Sequence, residues 1–155
     1  LDFSYKQALT FLPPWARGLQ VFANGSIKRS NAAKGELAGV DFSEIPRNAA
    51  WGISFTRPRY NLRVNWTWRT DEVQGIVTGV GIEPGTFNYT PGYTKIDVLG
   101  EFMIWRRLAL FANLRNIGDV PASGTTRGPS TPEHATQRLQ ERYGSLWTIG
   151  VKGTF

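Results

Sequence analysis

The sequence has no cysteine, a single histidine and no long apolar run. Without cysteine the chain can form neither a disulfide nor a thiolate metal site, and His134 has no second histidine at ligand spacing, so we expect no metal. No stretch reaches the roughly 18 consecutive apolar residues of a transmembrane helix. The charged residues are scattered, so the formal net charge of +6 does not indicate a nucleic-acid partner.

Catalytic motifs are missing as well. Gly79 and Gly81 follow no strand-to-helix junction and therefore do not form a phosphate-binding loop. The sequence contains no nucleophile elbow and no serine, histidine and aspartate in a catalytic order. Asp97 and Glu101 are too far apart along the chain to share a proton, and with Lys95 beside them they predict a ladder of salt bridges. We therefore expect no enzymatic activity and no cofactor.

The chain does have an alternating pattern, which is most informative in its last stretch, 143–155. Trp147, Ile149, Val151 and Phe155 fall on one face, and mainly polar residues and glycines fall on the other. A period of two predicts a β-strand with one apolar face. An aromatic residue at the end of such a strand is typical of an outer-membrane β-barrel, whose last strand lies in lipid.

The same alternation recurs earlier in the chain. Segment 60–70 alternates without error, and a helix of that sequence would spread the apolar side chains around its whole surface. The earlier predicted strands are 1–9, 18–28, 48–56, 60–70, 93–104 and 108–115. Together with the last stretch they make about seven strands, which predicts an all-β, antiparallel fold.

Long and short connections alternate between these strands. The long connections, which we predict to be loops, are 29–47, 71–92 and 116–142. Outer-membrane barrels have short periplasmic turns and long extracellular loops. We therefore expect the three loops to lie outside the cell, and the short turns and Phe155 to lie on the periplasmic side. Trp15, Tyr60 and Trp105 lie at the short-turn ends, where an interfacial aromatic girdle is expected.

Four segments carry the likeness to a known family. They are WARGLQVFAN at 15–24, IPR at 45–47, LFANLRNI at 110–117 and the terminal strand that ends at Phe155. With Asp119 following NLRN, they resemble the C-terminal barrel portion of a TonB-dependent outer-membrane receptor. The resemblance implies an antiparallel transmembrane β-barrel segment, the last third of a barrel of about 22 strands. Residues 1–155 contain no plug domain and no TonB box, and the chain starts at Leu1, so we expect a part of a longer precursor.

This resemblance also implies a function and a set of partners. Members of the family import a siderophore, cobalamin, haem or an oligosaccharide across the outer membrane of Gram-negative bacteria. The implied partners are outer-membrane lipid, the plug domain and remaining barrel strands of the same precursor, and the TonB complex through the missing N-terminal part. Barrel-assembly machinery would bind the C-terminal strand, with Phe155 as its insertion signal.

The polar face of the predicted strands supplies the candidate binding residues. A charged side chain on the lipid face would cost about 2–4 kcal/mol at mid-bilayer, so the polar face is expected to line the lumen. The lumen-facing candidates are Asn61, Arg63, Asn65, Arg69, Lys95, Asp97, Glu101, Asn113 and Arg115. The alternative is a soluble, lipocalin-like all-β module that binds a small ligand, with its apolar face turned inward.

Overall fold

The computed structural model describes residues 1–27 and 47–153. Within these ranges the protein is all-β, with β-strands and one 3-10 turn at Glu133–Ala135. Every strand pairing is antiparallel, so the predicted fold class is confirmed at this level. The same ranges contain no helix that is both long and apolar enough to cross a membrane.

A main sheet contains the seven strands expected from the alternating pattern. They are β1 (Asp2–Ala8), β2 (Leu19–Ile27), β3 (Arg47–Thr56), β4 (Tyr60–Arg69), β7 (Tyr93–Trp105), β8 (Leu108–Arg115) and β11 (Leu146–Gly153). They pair in the order β1-β2-β3-β4-β7-β8-β11. Among the described residues β1 pairs only with β2 and β11 only with β8, so this sheet is open at both edges.

A second, smaller sheet forms where the sequence predicted loops. The connections 71–92 and 116–142 contain β5 (Glu72–Ile76), β6 (Phe87–Thr90), β9 (Ala122–Arg127) and β10 (Gln137–Glu141). These strands pair in the order β10-β9-β6-β5. Each is next along the chain to one strand of the main sheet, and those main-sheet strands pair in the same order, β11-β8-β7-β4. Both connections are therefore extended hairpins that pair with each other, and the loop prediction was wrong for them. The third predicted loop, 29–47, lies almost entirely outside the described residues.

One apolar face runs across the main sheet. Residues that are directly opposite in an antiparallel pair point to the same face. One such row runs from β2 to β11 through Val21, Ile53, Val64, Val98, Leu114 and Trp147. Only three hydrophobic residues of the described ranges are buried, Ala16, Phe87 and Ala109. The main sheet is thus a single layer whose apolar face has no covering layer in this part of the chain.

The opposite face is polar, with two phenylalanines packed against glycines of neighbouring strands. Phe22 is opposite Gly52, and Phe111 is opposite Gly150. A Cβ atom on Gly52 would lie 2.4 Å from Cζ of Phe22, and one on Gly150 would lie 2.7 Å from Cζ of Phe111. Each ring therefore occupies the space above a glycine backbone, where no side chain competes with it.

Candidate binding face

The polar face of the main sheet carries all nine candidate residues. Within it, Asn65 is opposite Asp97 and Asn61 is opposite Glu101. The full set, on β4, β7 and β8, is Asn61, Arg63, Asn65, Arg69, Lys95, Asp97, Glu101, Asn113 and Arg115. That this face lines a lumen stays a prediction. Phe155, the predicted insertion signal, lies outside the described residues.

A recess of about 460 Å³ opens on this face over strands β1 to β4 and reaches Asp97 of β7. The polar face of β3 has small residues at this point, Ala50 and Ser54, so space remains between the longer side chains of β2 and β4, while the ring of Phe22 covers Gly52 between them. Sites for small molecules commonly have volumes of about 300–1,000 Å³. The polar residues that line the recess are Ser4, Lys6, Gln20, Asn24, Ser54, Arg63, Asn65, Thr67 and Asp97.

Only three of the nine candidates line this recess: Arg63, Asn65 and Asp97. Lys6 was not among them, although its position on the polar face of β1 follows from the same alternation. It is opposite Phe22 and therefore belongs to one row that crosses from β1 to Asp97 in β7. The alternation could have identified Lys6, but the position of the recess depends on the register of five strands, β1 to β4 and β7.

Arg63 is fixed in place at this recess by two contacts. Its Nε donates a hydrogen bond to Oδ1 of Asn65 at 2.8 Å. Its guanidinium carbon lies 4.4 Å from the centre of the Phe22 ring, within the range of a cation–π contact. The terminal nitrogens of Arg63 have no hydrogen-bond or ion-pair partner among the described residues. The side chain is therefore oriented while its outer N–H groups stay free to bind.

The predicted ladder of salt bridges on β7 forms only in part. Glu101 pairs with Lys152 of β11 at 3.6 Å. Asp97 instead accepts a hydrogen bond from the backbone N–H of Asn116 at 2.8 Å. Lys95 has no carboxylate within salt-bridge distance in the described ranges, and its Nζ lies 4.5 Å from the centre of the Tyr93 ring. The ladder prediction was therefore wrong for Lys95, because an aromatic neighbour on its own strand binds the ammonium group.

Two arginines connect the main sheet to the small sheet. Arg69 forms an ion pair with Glu72 at 3.3 Å, and its guanidinium carbon lies 4.9 Å from the centre of the Tyr93 ring. Arg127 of β9 forms an ion pair with Asp71 at 2.7 Å. Arg69, Asp71 and Glu72 lie at the junction of β4 with β5, and Arg127 reaches Asp71 from the far end of β9, so the two ion pairs hold the small sheet against this junction.

Asp71 is the best-bound carboxylate at this junction. Besides the ion pair with Arg127, it accepts a hydrogen bond from the backbone N–H of Gly92 at 2.7 Å. Partial burial raises its pKa, but the Gly92 N–H and the positive charge of Arg127 together outweigh burial, so the pKa of Asp71 is lowered. The charged form of Asp71 is therefore the one that stabilises the junction.

Asn116 connects three segments at the other junction, where β8 leaves the main sheet. Its backbone is in the left-handed region, with φ of 54°. Its side-chain Nδ2 donates to the carbonyl oxygens of Val120 at 3.1 Å and Gly144 at 3.3 Å, and its Oδ1 accepts from the N–H of Val120 at 3.0 Å. Asparagine adopts this backbone region more readily than most residues and can satisfy nearby backbone groups.

Comparisons with known proteins find no matching family model, no matching curated protein and no matching solved structure. The function must therefore be argued from the chain itself. In the described ranges no three histidine, aspartate or glutamate side chains are grouped so that they could hold a metal ion. What the polar face does offer is fixed charge and hydrogen-bonding groups around an open recess, which suits binding.

Proposed function

We propose that this chain is the C-terminal part of the β-barrel of a TonB-dependent receptor in the Gram-negative outer membrane, where it helps to import a siderophore, cobalamin, haem or an oligosaccharide. The observation that carries the proposal is the exposed apolar face of the main sheet. The polar recess lies on the opposite face, which would line the lumen. The motifs at 15–24 and 110–117 supply the choice of family.

The apolar face suits lipid better than water. Trp147, Ile149 and Val151 of β11 are 64%, 74% and 61% exposed, and exposed apolar side chains continue across the sheet. Apolar surface in water costs about 25 cal/mol per Å², and monomeric soluble proteins rarely expose contiguous apolar patches larger than a few hundred Å². In a membrane the same surface contacts acyl chains, so this cost disappears.

The open edges of the main sheet support a larger barrel. An unpaired strand edge cannot lie in hydrocarbon, because its backbone N–H and C=O groups would have no partners. In the proposed receptor the remaining strands of the same precursor pair with β1 and β11, and the plug domain fills the lumen. The TonB complex would act through the N-terminal part, and the barrel-assembly machinery through the C-terminal strand.

The soluble, lipocalin-like alternative receives no support from this arrangement. A lipocalin-like barrel turns its apolar face inward around a ligand and closes its own edges. Here the described strands form an open sheet, and its apolar face is exposed.

The proposal is tested by producing the complete protein in Gram-negative cells and fractionating their membranes. We expect it in the outer-membrane fraction, with a folded form that migrates differently from the heat-unfolded form in gel electrophoresis. A soluble monomer that unfolds cooperatively without detergent or lipid would contradict the proposal.

A further inference from the structure

We propose that the short-turn end of the main sheet binds an anionic phospholipid, with its phosphate on a rim of arginines and one acyl chain in an apolar recess beside that rim. The inference rests on the proposed function, because these turns lie at a membrane surface only if the strands cross the bilayer. It goes beyond that function by assigning a lipid site on the outside of the barrel.

Backbone hydrogen bonds hold the three short turns side by side at one end of the main sheet. The turns are 9–18 between β1 and β2, 57–59 between β3 and β4, and 106–107 between β7 and β8. The N–H of Thr56 donates to the carbonyl oxygen of Gly18 at 3.0 Å, and the N–H of Met103 donates to that of Arg59 at 2.6 Å. The guanidinium group of Arg57 donates two further hydrogen bonds to backbone carbonyl oxygens of the first turn. The turns therefore form one continuous rim.

Every charged side chain in these turns is an arginine. They are Arg17, Arg57, Arg59, Arg106 and Arg107, here called the basic rim. All except Arg57 are exposed, and none of the five has a carboxylate within salt-bridge distance among residues 1–27 and 47–153. The parallel N–H groups of a guanidinium match the oxygens of a phosphate, and clustered basic residues attract anionic lipid. The basic rim therefore suits the phosphate of a lipid with net negative charge.

Two exposed tryptophans place the basic rim at the level of lipid headgroups. Trp15 is 78% exposed and Trp105 is 71% exposed. A β-bulge between Met103 and Trp105 brings Trp105 opposite Leu108, which belongs to the apolar face. Tryptophan is enriched at membrane–water interfaces, where its ring contacts the boundary between headgroups and acyl chains. The arginines beside these rings therefore lie within reach of lipid phosphates.

An apolar recess of about 420 Å³ lies on the apolar face of strands β1 to β4, next to the basic rim. At this recess Ala23 is opposite both Tyr5 and Trp51, so space remains between two large side chains. Ile53 of its lining is four residues from Arg57, about 13 Å along a strand. One leaflet of a bilayer contains about 15 Å of hydrocarbon, half the thickness of the core. An acyl chain can therefore occupy the recess while the phosphate of the same lipid contacts the rim.

The test uses the complete protein in a neutral detergent, with its folded state first verified by heat-dependent migration. Phosphatidylglycerol and phosphatidylcholine with identical acyl chains are added at equal concentration, and native mass spectrometry counts the molecules of each that the protein retains. We expect phosphatidylglycerol to be retained in preference, because it alone of the two has a net negative charge. Arg17→Gln and Arg59→Gln should each weaken its retention about fivefold, the usual effect of one basic residue at an anionic membrane surface.

Two further variants separate a lipid site from a general effect of charge. Arg138→Gln removes the same charge from exposed strand β10, at the opposite end of the chain's sheets, and should leave phosphatidylglycerol retention unchanged. Ala23→Leu fills the recess without changing charge, so it should weaken the retention of both lipids equally.

Four outcomes would overturn the proposal. The folded wild-type protein retains both lipids alike, the Arg17 and Arg59 variants retain phosphatidylglycerol like the wild type, Arg138→Gln weakens retention as much as they do, or Ala23→Leu has no effect. The preference of the wild-type protein decides the matter if a variant fails to fold. A complete protein that is soluble and monomeric without detergent would count against the proposed function instead.

Discussion

The backbone N–H of Asn116 donates a hydrogen bond to Oδ1 of Asp97 at 2.8 Å. This bond joins the polar face of the main sheet to the start of the β9–β10 hairpin. Asn116 is the first residue after β8, and its left-handed backbone turns the chain away from the main sheet. A carboxylate on the recess is therefore bound directly to the segment that leads into the small sheet.

Substitution of Asn116 should separate the contribution of its side-chain hydrogen bonds from that of its left-handed backbone. Asn116→Ala removes the side-chain hydrogen bonds and places a poorly suited residue at positive φ, so we expect a loss of about 1–3 kcal/mol in unfolding free energy. Asn116→Gly also loses the amide but adopts the left-handed backbone freely, so it should recover part of the loss. Urea unfolding of the protein in bilayers measures both. Equal effects would show that the backbone conformation contributes nothing.

The contact between Phe22 and Gly52 predicts that a side chain at position 52 destabilises the protein. In Gly52→Ala the added Cβ would lie 2.3 Å from the carbonyl oxygen of Val64 and 2.4 Å from Cζ of Phe22. We expect a destabilisation of about 1–3 kcal/mol, typical of overpacking. Gly100→Ala is the control, since its nearest atoms would be 3.8 Å and 3.9 Å away, and it should change stability by less than about 0.5 kcal/mol. If the two variants unfold alike, the ring does not occupy the space above Gly52.

The main sheet was predictable because its signal is local. Each strand alternates polar and apolar residues, and a one-residue error in register would move a whole apolar set to the other face, as for Val64 and its partners Ile53 and Val98. The same rule placed all nine candidate residues on one face.

The small sheet was not predictable from local pattern. Its strands contain only four to six residues, too few for a clear period, and lie among glycines and prolines that favour turns. Their pairing is also non-local, because β6 of one hairpin pairs with β9 of the other. The Glu101–Lys152 pair was missed for the same reason, since it joins strands distant in sequence.

Acid should loosen the small sheet through Asp71. Because its folded-state pKa is lowered, the stabilisation is complete above the unfolded-state value of about 3.9 and is lost as pH falls through the lower folded-state value. Hydrogen exchange should therefore show lower protection factors for the β6 and β9 amides at acid pH than at neutral pH, once the intrinsic pH dependence of amide exchange is divided out. Asp71→Asn should give low protection factors already at neutral pH, and these factors should depend less on pH. A variant with the wild-type pH profile would exclude the Asp71–Arg127 pair as the cause.

Topology can be tested with single cysteines, because the natural chain has none. Val80 lies in the β5–β6 connection and is fully exposed, so Val80→Cys should react with a membrane-impermeant maleimide on intact cells. Arg106→Cys, in the short turn after β7, should react only after the outer membrane is permeabilised. Arg57 is a poorer site, since its guanidinium donates to the carbonyl oxygens of Pro14 and Trp15 at 2.6 Å and 2.7 Å. Labelling of Arg106→Cys alone would reverse the proposed orientation.

Two neighbours on β11 distinguish lipid from water at the apolar face. Ile149 is 74% exposed and belongs to the apolar face, whereas Thr148 is opposite Asn113 on the polar face. An exposed isoleucine in water tolerates arginine, usually within about 0.5 kcal/mol. In a bilayer, Ile149→Arg should cost about 2–4 kcal/mol, because the guanidinium group would meet hydrocarbon near the middle of the strand.

Thr148→Arg serves as the matched control for that variant. It introduces the same charge one residue away on the polar face, where water or polar groups can solvate the guanidinium, so we expect little change in stability. Both free energies come from reversible unfolding of the complete protein in lipid bilayers. If Ile149→Arg proves as mild as Thr148→Arg, lipid does not cover the apolar face, and the receptor proposal loses the observation that carries it.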